Sequence, residues 1–194
     1  MNLADRVKGI LLTPRSEWST IDAESATVGS LYTTYIIPLA AIQPVAMFIG
    51  FSLIGTSFLG SAFRLPISNG IEWAIAQYVG SLISVFIFAL IIDALAPTFG
   101  GEKNRIQALK VATYSMTAAW ICGIFAIVPS LAVLGILGLY SLYLLYLGLP
   151  VLMKAPQDKA IGYTVVSIVA GIVLFVVIRA ITARFGFDMT TMTP

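Results

Sequence analysis

The sequence predicts an all-α membrane protein: a five-helix transmembrane bundle with an N-terminal amphipathic interfacial helix. Three observations support this fold class. Of the 194 residues, 59% are hydrophobic and 10% are charged, whereas soluble domains carry about 25% charged residues. The apolar residues form five runs separated by short polar breaks, and each run is long enough to cross a hydrocarbon core of about 30 Å. So apolar a chain lacks the residues for a soluble protein's polar shell, and we place it in lipid.

Composition also limits the chemistry that we expect. The chain has no His and a single cysteine, Cys122, within an apolar run, which excludes a disulfide framework and a His/Cys metal site. The net charge of +2 gives no basis for binding nucleic acid. Hydrolysis needs an activated nucleophile or a metal-bound water, and no His is present to act as a base. We therefore expect no catalytic residues, no metal and no cofactor, and no cleavable signal peptide is visible.

The first 27 residues are predicted to form a cytoplasmic amphipathic segment. One helical face carries apolar residues at positions i, i+4, i+7 and i+8, namely Leu3, Val7, Ile10 and Leu11. This pattern is typical of a helix lying on the membrane surface; a solvated tail is the alternative. A second helix should begin at Thr13-Pro14, with Thr13 as its cap and Pro14 at its first position.

The first predicted span covers residues 31–54 and contains two prolines, Pro38 and Pro44. Prolines inside a helix predict a kink. Gln43 lies near mid-depth beside the second proline. Its amide should bond to a neighbouring helix or to a carbonyl that the kink releases, and a contact with a substrate is the other interpretation.

Spans two and three are predicted at residues 71–95 and 105–128, each opened by a capping box: Asn69 with Glu72, and Asn104 with Gln107. Small residues recur every fourth position in both spans, a pattern that allows close helix approach. We expect these two stripes to face each other; they are Ala76, Gly80 and Ser84, and Ser115, Ala119 and Gly123.

Two charged residues lie within or beside these spans. Asp93 closes span two before a Gly-Gly turn, and Lys110 lies nearly two turns inside span three. Because a short connection makes these spans antiparallel neighbours, Lys110 could pair with Asp93. The alternative is that Lys110 extends to the lipid headgroups.

Spans four and five are predicted at residues 131–153 and 161–181. Tyr140 and Tyr143 lie too deep in span four for the usual interfacial aromatic belt, so their hydroxyls need partners inside the bundle. Either the two hydroxyls form hydrogen bonds to neighbouring helices, or the two tyrosines belong to a polar path with Gln43, Ser84 and Tyr114.

Four segments together resemble a known family: RVKGILLTPRSEW near the start, DALAPTFGG and ALKVATYSMTA in the middle, and YLLYLGLPVLMKAPQDKAIGYTVV near the end. The chain resembles the bacterial branch of the Yip family, the Ypt/Rab-interacting membrane proteins. The resemblance implies one Yip-type domain over residues 1–194, with five spans and a cytoplasmic N-terminus. Eukaryotic members bind small GTPases. Their D-L-Y-G-P signature is absent here, where residues 93–97 read DALAP, so that role is not transferred. In the bacterial branch the resemblance implies no defined activity.

The distribution of cations predicts the orientation. With the N-terminus inside, eight cations lie on the inner side: Arg6, Lys8, Arg15, Lys103, Arg105, Lys110, Lys154 and Lys159. Three lie outside: Arg64, Arg179 and Arg184. The positive-inside rule therefore predicts a multi-pass protein of the bacterial inner membrane with a cytoplasmic N-terminus and a periplasmic C-terminus.

The predicted inner surface is the densest charged region. It gathers Asp93, Lys110, Glu17, Lys154, Asp158 and Lys159, together with Glu102, if the loops lie together. Three interpretations are open. These residues cap helices, pair with each other and bind headgroups; or they form a docking surface for a partner; or they line the mouth of a pathway for an ion or lipid. We predict a non-enzymatic membrane scaffold or organiser acting through membrane lipids, or through a membrane or cytoplasmic protein, with a homodimer as one arrangement. The alternative is a channel, transporter or lipid scramblase with a polar path between the helices.

Overall fold

The computed structural model describes residues 2–58 and 61–183, without the side chains of 56–58, 61–63 and 129. Within these ranges, five helical segments are long and apolar enough to cross a membrane, and we call them spans one to five: Val28–Ile54, Ile67–Phe99, Arg105–Ile127, Ser130–Leu152 and Gln157–Thr182. The predicted all-α bundle of five spans is confirmed. Arg184 and the tail that follows it lie outside the described residues.

Span one is interrupted, as its prolines suggest. It consists of α-helices Val28–Leu31, Ile37–Ala40 and Ile42–Phe48, with wider π-helical turns at Tyr32–Ile36 and Ile49–Ile54. Pro38 and Pro44 each lack a backbone N–H, which removes a regular hydrogen bond and forces a local change of pitch. A short antiparallel hairpin of strands Thr56–Phe58 and Ser61–Phe63 then leads to span two.

Spans two and three are antiparallel neighbours. Span two is an α-helix, Ile67–Leu95, with a 3-10 turn at Ala96–Phe99. It begins after Pro66, whose extended backbone (φ −51°, ψ 142°) sets the start. The predicted capping box at Asn69 is therefore wrong, because Asn69 lies inside the helix. The turn after span two ends at Gly100, which adopts a left-handed φ of 73° that glycine adopts at no steric cost.

Spans three to five alternate α-helical and 3-10 segments. Span three contains Arg105–Ser115, Thr117–Cys122 and the 3-10 segment Gly123–Ile127. Span four combines the 3-10 segment Pro129–Leu139 with the α-helix Tyr140–Leu152, and span five the 3-10 turn Gln157–Lys159 with Ala160–Thr182. Asn104 caps span three as predicted, because its Oδ1 accepts the backbone N–H of Gln107 at 3.1 Å. The other half of the predicted capping box is absent, because the side chain of Gln107 bonds to Asp22.

The two small-residue stripes do not face each other, so the predicted pairing is wrong. A methyl group placed on Gly80 would lie 3.0 Å from Ile178 and 3.1 Å from Thr182, both on span five. One placed on Gly123 would lie 2.6 Å from Gln43 on span one. The stripe of span two makes room for larger side chains of span five, and the stripe of span three makes room for Gln43 of span one. Small side chains thus allow close packing in both places.

The N-terminal segment forms two helices, α1 (Leu3–Leu12) and α2 (Pro14–Ala23), that pack against each other. Its apolar face is buried against protein: Ile10, Trp18 and Ile21 are at most 1% exposed. The prediction of a helix lying on the lipid surface is corrected accordingly. Thr13 does not cap α2 with its side chain, because its hydroxyl donates to the carbonyl of Gly9 in the last turn of α1.

We call the end of the bundle that carries α1, α2 and the two loops 100–104 and 153–156 the N-terminal face. The loops are in contact there: the backbone N–H of Glu102 donates to the carbonyl of Met153 at 2.8 Å. The strand hairpin and the end of span five lie at the opposite face. Large apolar side chains on the outer surface of the spans are widely exposed, as a lipid-facing surface requires.

Candidate functional site

The centre of the N-terminal face is a buried arginine, Arg6, which the sequence analysis had only counted among the inner cations. Arg6 is 5% exposed, and its Nη1 lies 2.5 Å from Glu17 Oε1. Its Nη2 bonds to Glu24 Oε2, and its guanidinium lies over the ring of Tyr114 at 5.6 Å. Burial alone would lower the pKa of Arg6, but the hydrogen bond to Glu24 and the neighbouring carboxylates outweigh it and raise the pKa. Arg6 is therefore a permanent cation that ties α1 to α2.

Lys110 fastens this helical pair to span three. Its Nζ donates to the carbonyl oxygens of Ile21 at 2.8 Å and of Glu24 at 2.5 Å. These carbonyls end α2, where the last turn of a helix has no internal donors and carries partial negative charge. Lys110 is 3% exposed, so it neither pairs with Asp93 nor extends to the headgroups, and both predicted alternatives are wrong.

Asp22 makes a third attachment that the sequence analysis missed. Its Oδ2 lies 2.5 Å from Nζ of Lys154 in the loop after span four. Its Oδ1 accepts the side-chain amide of Gln107 at 2.9 Å. One carboxylate thus links α2 to spans three and four. No local pattern could have indicated this, because its partners are 85 and 132 residues away.

The remaining charged residues of the predicted cluster stay apart from this network. Asp93 is 9% exposed, and its Oδ1 has no hydrogen-bond donor among the described residues. Next to it, the hydroxyl of Tyr163 donates to the carbonyl of Ile92 at 2.6 Å. Asp158 and Lys159 are exposed. The structure therefore brings Glu17, Lys110 and Lys154 together where α1 and α2 attach to the bundle. It leaves four residues outside this network: Asp93, Glu102, Asp158 and Lys159.

The predicted polar path is divided between two regions. Tyr114 is buried in the N-terminal core against Trp18 and Tyr35, with ring centroids 6.3 and 4.7 Å away. The hydroxyl of Tyr140 donates to the carbonyl of Leu11 at 3.2 Å, and Tyr143 is 40% exposed on the outside. This hydrogen bond joins span four to α1, so Tyr140 makes the interhelical hydrogen bond that was predicted for it.

Gln43 and Ser84, the other two members, line a cavity of about 370 Å³ between spans one, two, three and five. Gln43 lies with its amide Nε2 4.0 Å from Met47 Sδ and not against a released carbonyl, which corrects that expectation. The same cavity contains Gln77, Ser81 and Arg179. Both Gln77 and Arg179 occupy apolar runs, and a polar residue in such a run was the signal that could have identified them.

No group of three or more Cys, Asp or Glu side chains within residues 2–58 and 61–183 is arranged to hold a metal ion. The functional groups described above are ion pairs, amides and hydroxyls. The N-terminal face can fasten helices and meet charged groups, and the cavity can hold a molecule of modest size.

Comparison with known proteins gives a consistent assignment. The chain is 25% identical to "Inner membrane protein YohC" of Escherichia coli, in strain K12 and in a second strain, over 181 residues that cover 91% of this chain and 93% of each relative. No solved structure matches it. The model of the Yip1 domain matches residues 8–178, a range that includes α2, all the attachments of the helical pair to the bundle except that of Arg6, and nearly all of the five spans. This five-span chain, similar to inner membrane proteins, belongs to the Yip1 domain family.

Proposed function

We propose that this protein is a non-enzymatic membrane organiser that gathers anionic lipids around its N-terminal face. The observation that carries the proposal is the division of charges at that face. The ion pairs of Arg6 and Lys154 are used internally to hold α1–α2. The exposed charges that form no ion pair among the described residues are mainly cations: Lys8, Arg15, Lys103, Arg105 and Lys159, against Asp5, Glu102 and Asp158.

We call these five cations the cationic rim. They lie at the end of a membrane bundle, which is where lipid headgroups are. Each cation near an anionic leaflet contributes about 1 kcal/mol of attraction, which falls off within a Debye length. The rim belongs to a rigid unit, because Trp18, Ile21 and Lys110 are buried beneath it. A fixed ring of cations of this kind holds anionic lipids in place, and the partners of the protein are then those lipids and proteins that share them.

The test is to reconstitute the protein with spin-labelled phosphatidylglycerol or phosphatidylcholine and to measure the motionally restricted fraction of each. We expect phosphatidylglycerol to be preferred. Replacing the five rim cations with glutamine should remove the preference, and so should about 0.5 M salt, because exposed charges are screened. The matched control, Asp5→Asn/Glu102→Gln/Asp158→Asn, should strengthen it. Equal restriction of both lipids by the unmodified protein would refute the proposal.

The cavity favours a second candidate, a transporter or lipid scramblase. Its amide and hydroxyl groups lie inside the bundle, where polar residues often mark a pathway. Against a continuous path, Tyr114 and Tyr140 are engaged with the N-terminal helices. Ion release and lipid scrambling from the same liposomes separate the two candidates: the organiser predicts the rates of protein-free liposomes. Flux that Ser84→Leu abolishes would favour the pathway.

A further inference from the structure

Among the described residues, the 370 Å³ cavity is lined by one charged side chain, the cation Arg179, and this indicates its ligand class. The hydroxyls of Ser81 and Ser84 already donate to the carbonyls of Tyr78 and Gly80, at 2.8 and 2.7 Å. Gln77 accepts the hydroxyl of Thr182 through Oε1 at 2.7 Å, which leaves its Nε2 group for another acceptor. No acidic residue of the described part of the chain lines the cavity. The donors left for a ligand are Nε2 of Gln77 and the guanidinium of Arg179, whereas the two serine oxygens can still accept. The positive charge favours an anionic ligand.

Arg179 provides the charge for such a ligand. It lines the cavity and forms no ion pair among the described residues, and its guanidinium lies 5.9 Å from the ring centroid of Phe175. Cations within membrane spans are costly and usually have a functional partner. A guanidinium matches phosphate with two parallel hydrogen bonds, which makes a phosphate group the natural partner.

The remainder of the cavity is apolar and extends along the bundle. Arg179 lies three residues before the end of the helix Ala160–Thr182, close to the level of the headgroups on the opposite face. Gly171, at the other end of the cavity, is about 12 Å deeper at 1.5 Å per helical residue. Between them lie Leu174, Phe175 and, from span two, Phe88. A charged group near the surface and an apolar channel beneath it match the shape of a phospholipid.

We infer that this cavity binds one anionic phospholipid, with its phosphate on Arg179 and Gln77 and an acyl chain against Phe88 and Leu174. The volume lies within the range of about 300–1,000 Å³ of small-molecule sites. This site is separate from the cationic rim, because it opens towards the opposite face and uses different residues. The inference therefore does not depend on the proposed function.

Trp120 makes the site measurable. It lines the cavity and is one of three tryptophans in the chain, the others being Trp18 and Trp73. In a Trp18→Phe/Trp73→Phe background, Trp120 becomes the reporter. The purified protein in detergent is titrated with phosphatidylglycerol or phosphatidylcholine carrying brominated acyl chains, which quench tryptophan fluorescence on contact. We expect saturable quenching by phosphatidylglycerol, and an about tenfold higher half-quenching concentration for phosphatidylcholine.

Variants assign the effect to the cavity. Arg179→Gln should raise the half-quenching concentration of phosphatidylglycerol about tenfold, whereas Arg179→Lys should retain most of the binding. Ser84→Leu, which keeps Arg179 and fills the channel, should abolish saturable quenching. Arg64→Gln removes an exposed cation of the opposite face that does not line the cavity, and it should change nothing here. If Arg179→Gln fails to fold, Ser84→Leu and Arg179→Lys still decide the question.

The outcomes that overturn the inference are distinct. Equal quenching by the two lipids, or an effect of Arg64→Gln and none of Arg179→Gln, would mean that the cavity holds only the surrounding bulk lipid. Displacement of the lipid by inorganic phosphate at the same concentration would reassign the site to a free anion. A loss of the rim's lipid preference with Trp120 quenching intact would contradict the proposed function and leave this site standing.

Discussion

Arg6 shows how much one residue can contribute to the attachment of α1 and α2. Its guanidinium is buried between Glu17, whose side chain is 12% exposed, and Glu24, whose side chain is 43% exposed. Removing one partner of a buried pair leaves an uncompensated charge, which costs about 3–5 kcal/mol when both groups are fully buried. Because Glu24 retains contact with water, we expect Arg6→Leu to lower the free energy of unfolding by about 2–3 kcal/mol.

The measurement is unfolding in mixed micelles, followed by tryptophan fluorescence. Lys8 is the matched control, because it is an exposed cation on the same helix, and Lys8→Leu should change the stability by less than about 0.5 kcal/mol. Similar losses for both variants would show that general charge, and not the Arg6 pairs, stabilises the segment. The sequence could not indicate burial of Arg6, since its partners are 11 and 18 residues away and belong to another helix and its cap.

At the scale of the element, the contact between α2 and span four depends on a missing side chain. A methyl group on Gly148 would lie 2.7–2.9 Å from the indole ring of Trp18, which is fully buried. Gly148→Ala should therefore push α2 away from the bundle. Overpacking of this kind costs about 1–3 kcal/mol, so we expect α2 to open about 5 to 150 times more often.

Limited trypsin digestion at Arg15 reports this opening, because a docked helix resists cleavage. Gly135→Ala, in the same span, is the control, since a methyl group there has no atom within 4 Å. Unchanged cleavage of Gly148→Ala would contradict the close contact between Trp18 and span four.

Elements were predictable to the extent that they depend on hydropathy. The predicted spans differ from the observed ones by at most four residues, as at Ile67 and Gln157. Hydropathy says nothing about the π-turns of span one or the 3-10 segment Pro129–Leu139, which are set by prolines and by the packing of neighbours. The cap at Asn104 was predictable because it is local. The cap at Asn69 failed because Pro66 starts the helix earlier.

The whole molecule separates its charges between two faces. Of the cations that the sequence analysis had assigned to the inner side, all but Lys110, which lies within span three, belong to α1, α2 or the segments around Lys103 and Lys154. These elements meet at the N-terminal face. Arg64 and Arg179 lie towards the opposite face. Tertiary structure thus preserves the charge asymmetry that was counted along the sequence, while the partners inside each face could not be deduced from it, because they depend on side chains far apart in the chain.

This asymmetry leads to a prediction of orientation. An excess of Lys and Arg next to short loops holds those loops in the cytoplasm, so the N-terminal face should be cytoplasmic. Alkaline phosphatase, which is active only outside the cytoplasm, should be inactive when fused at Gly101 and active when fused after Arg184. A fusion after Arg64, in the loop between spans one and two, should also be active. Immunoblots normalise the activities to the amount of fusion protein. The reverse pattern would place the cationic rim in the periplasm and would remove the anionic inner leaflet from the proposed function.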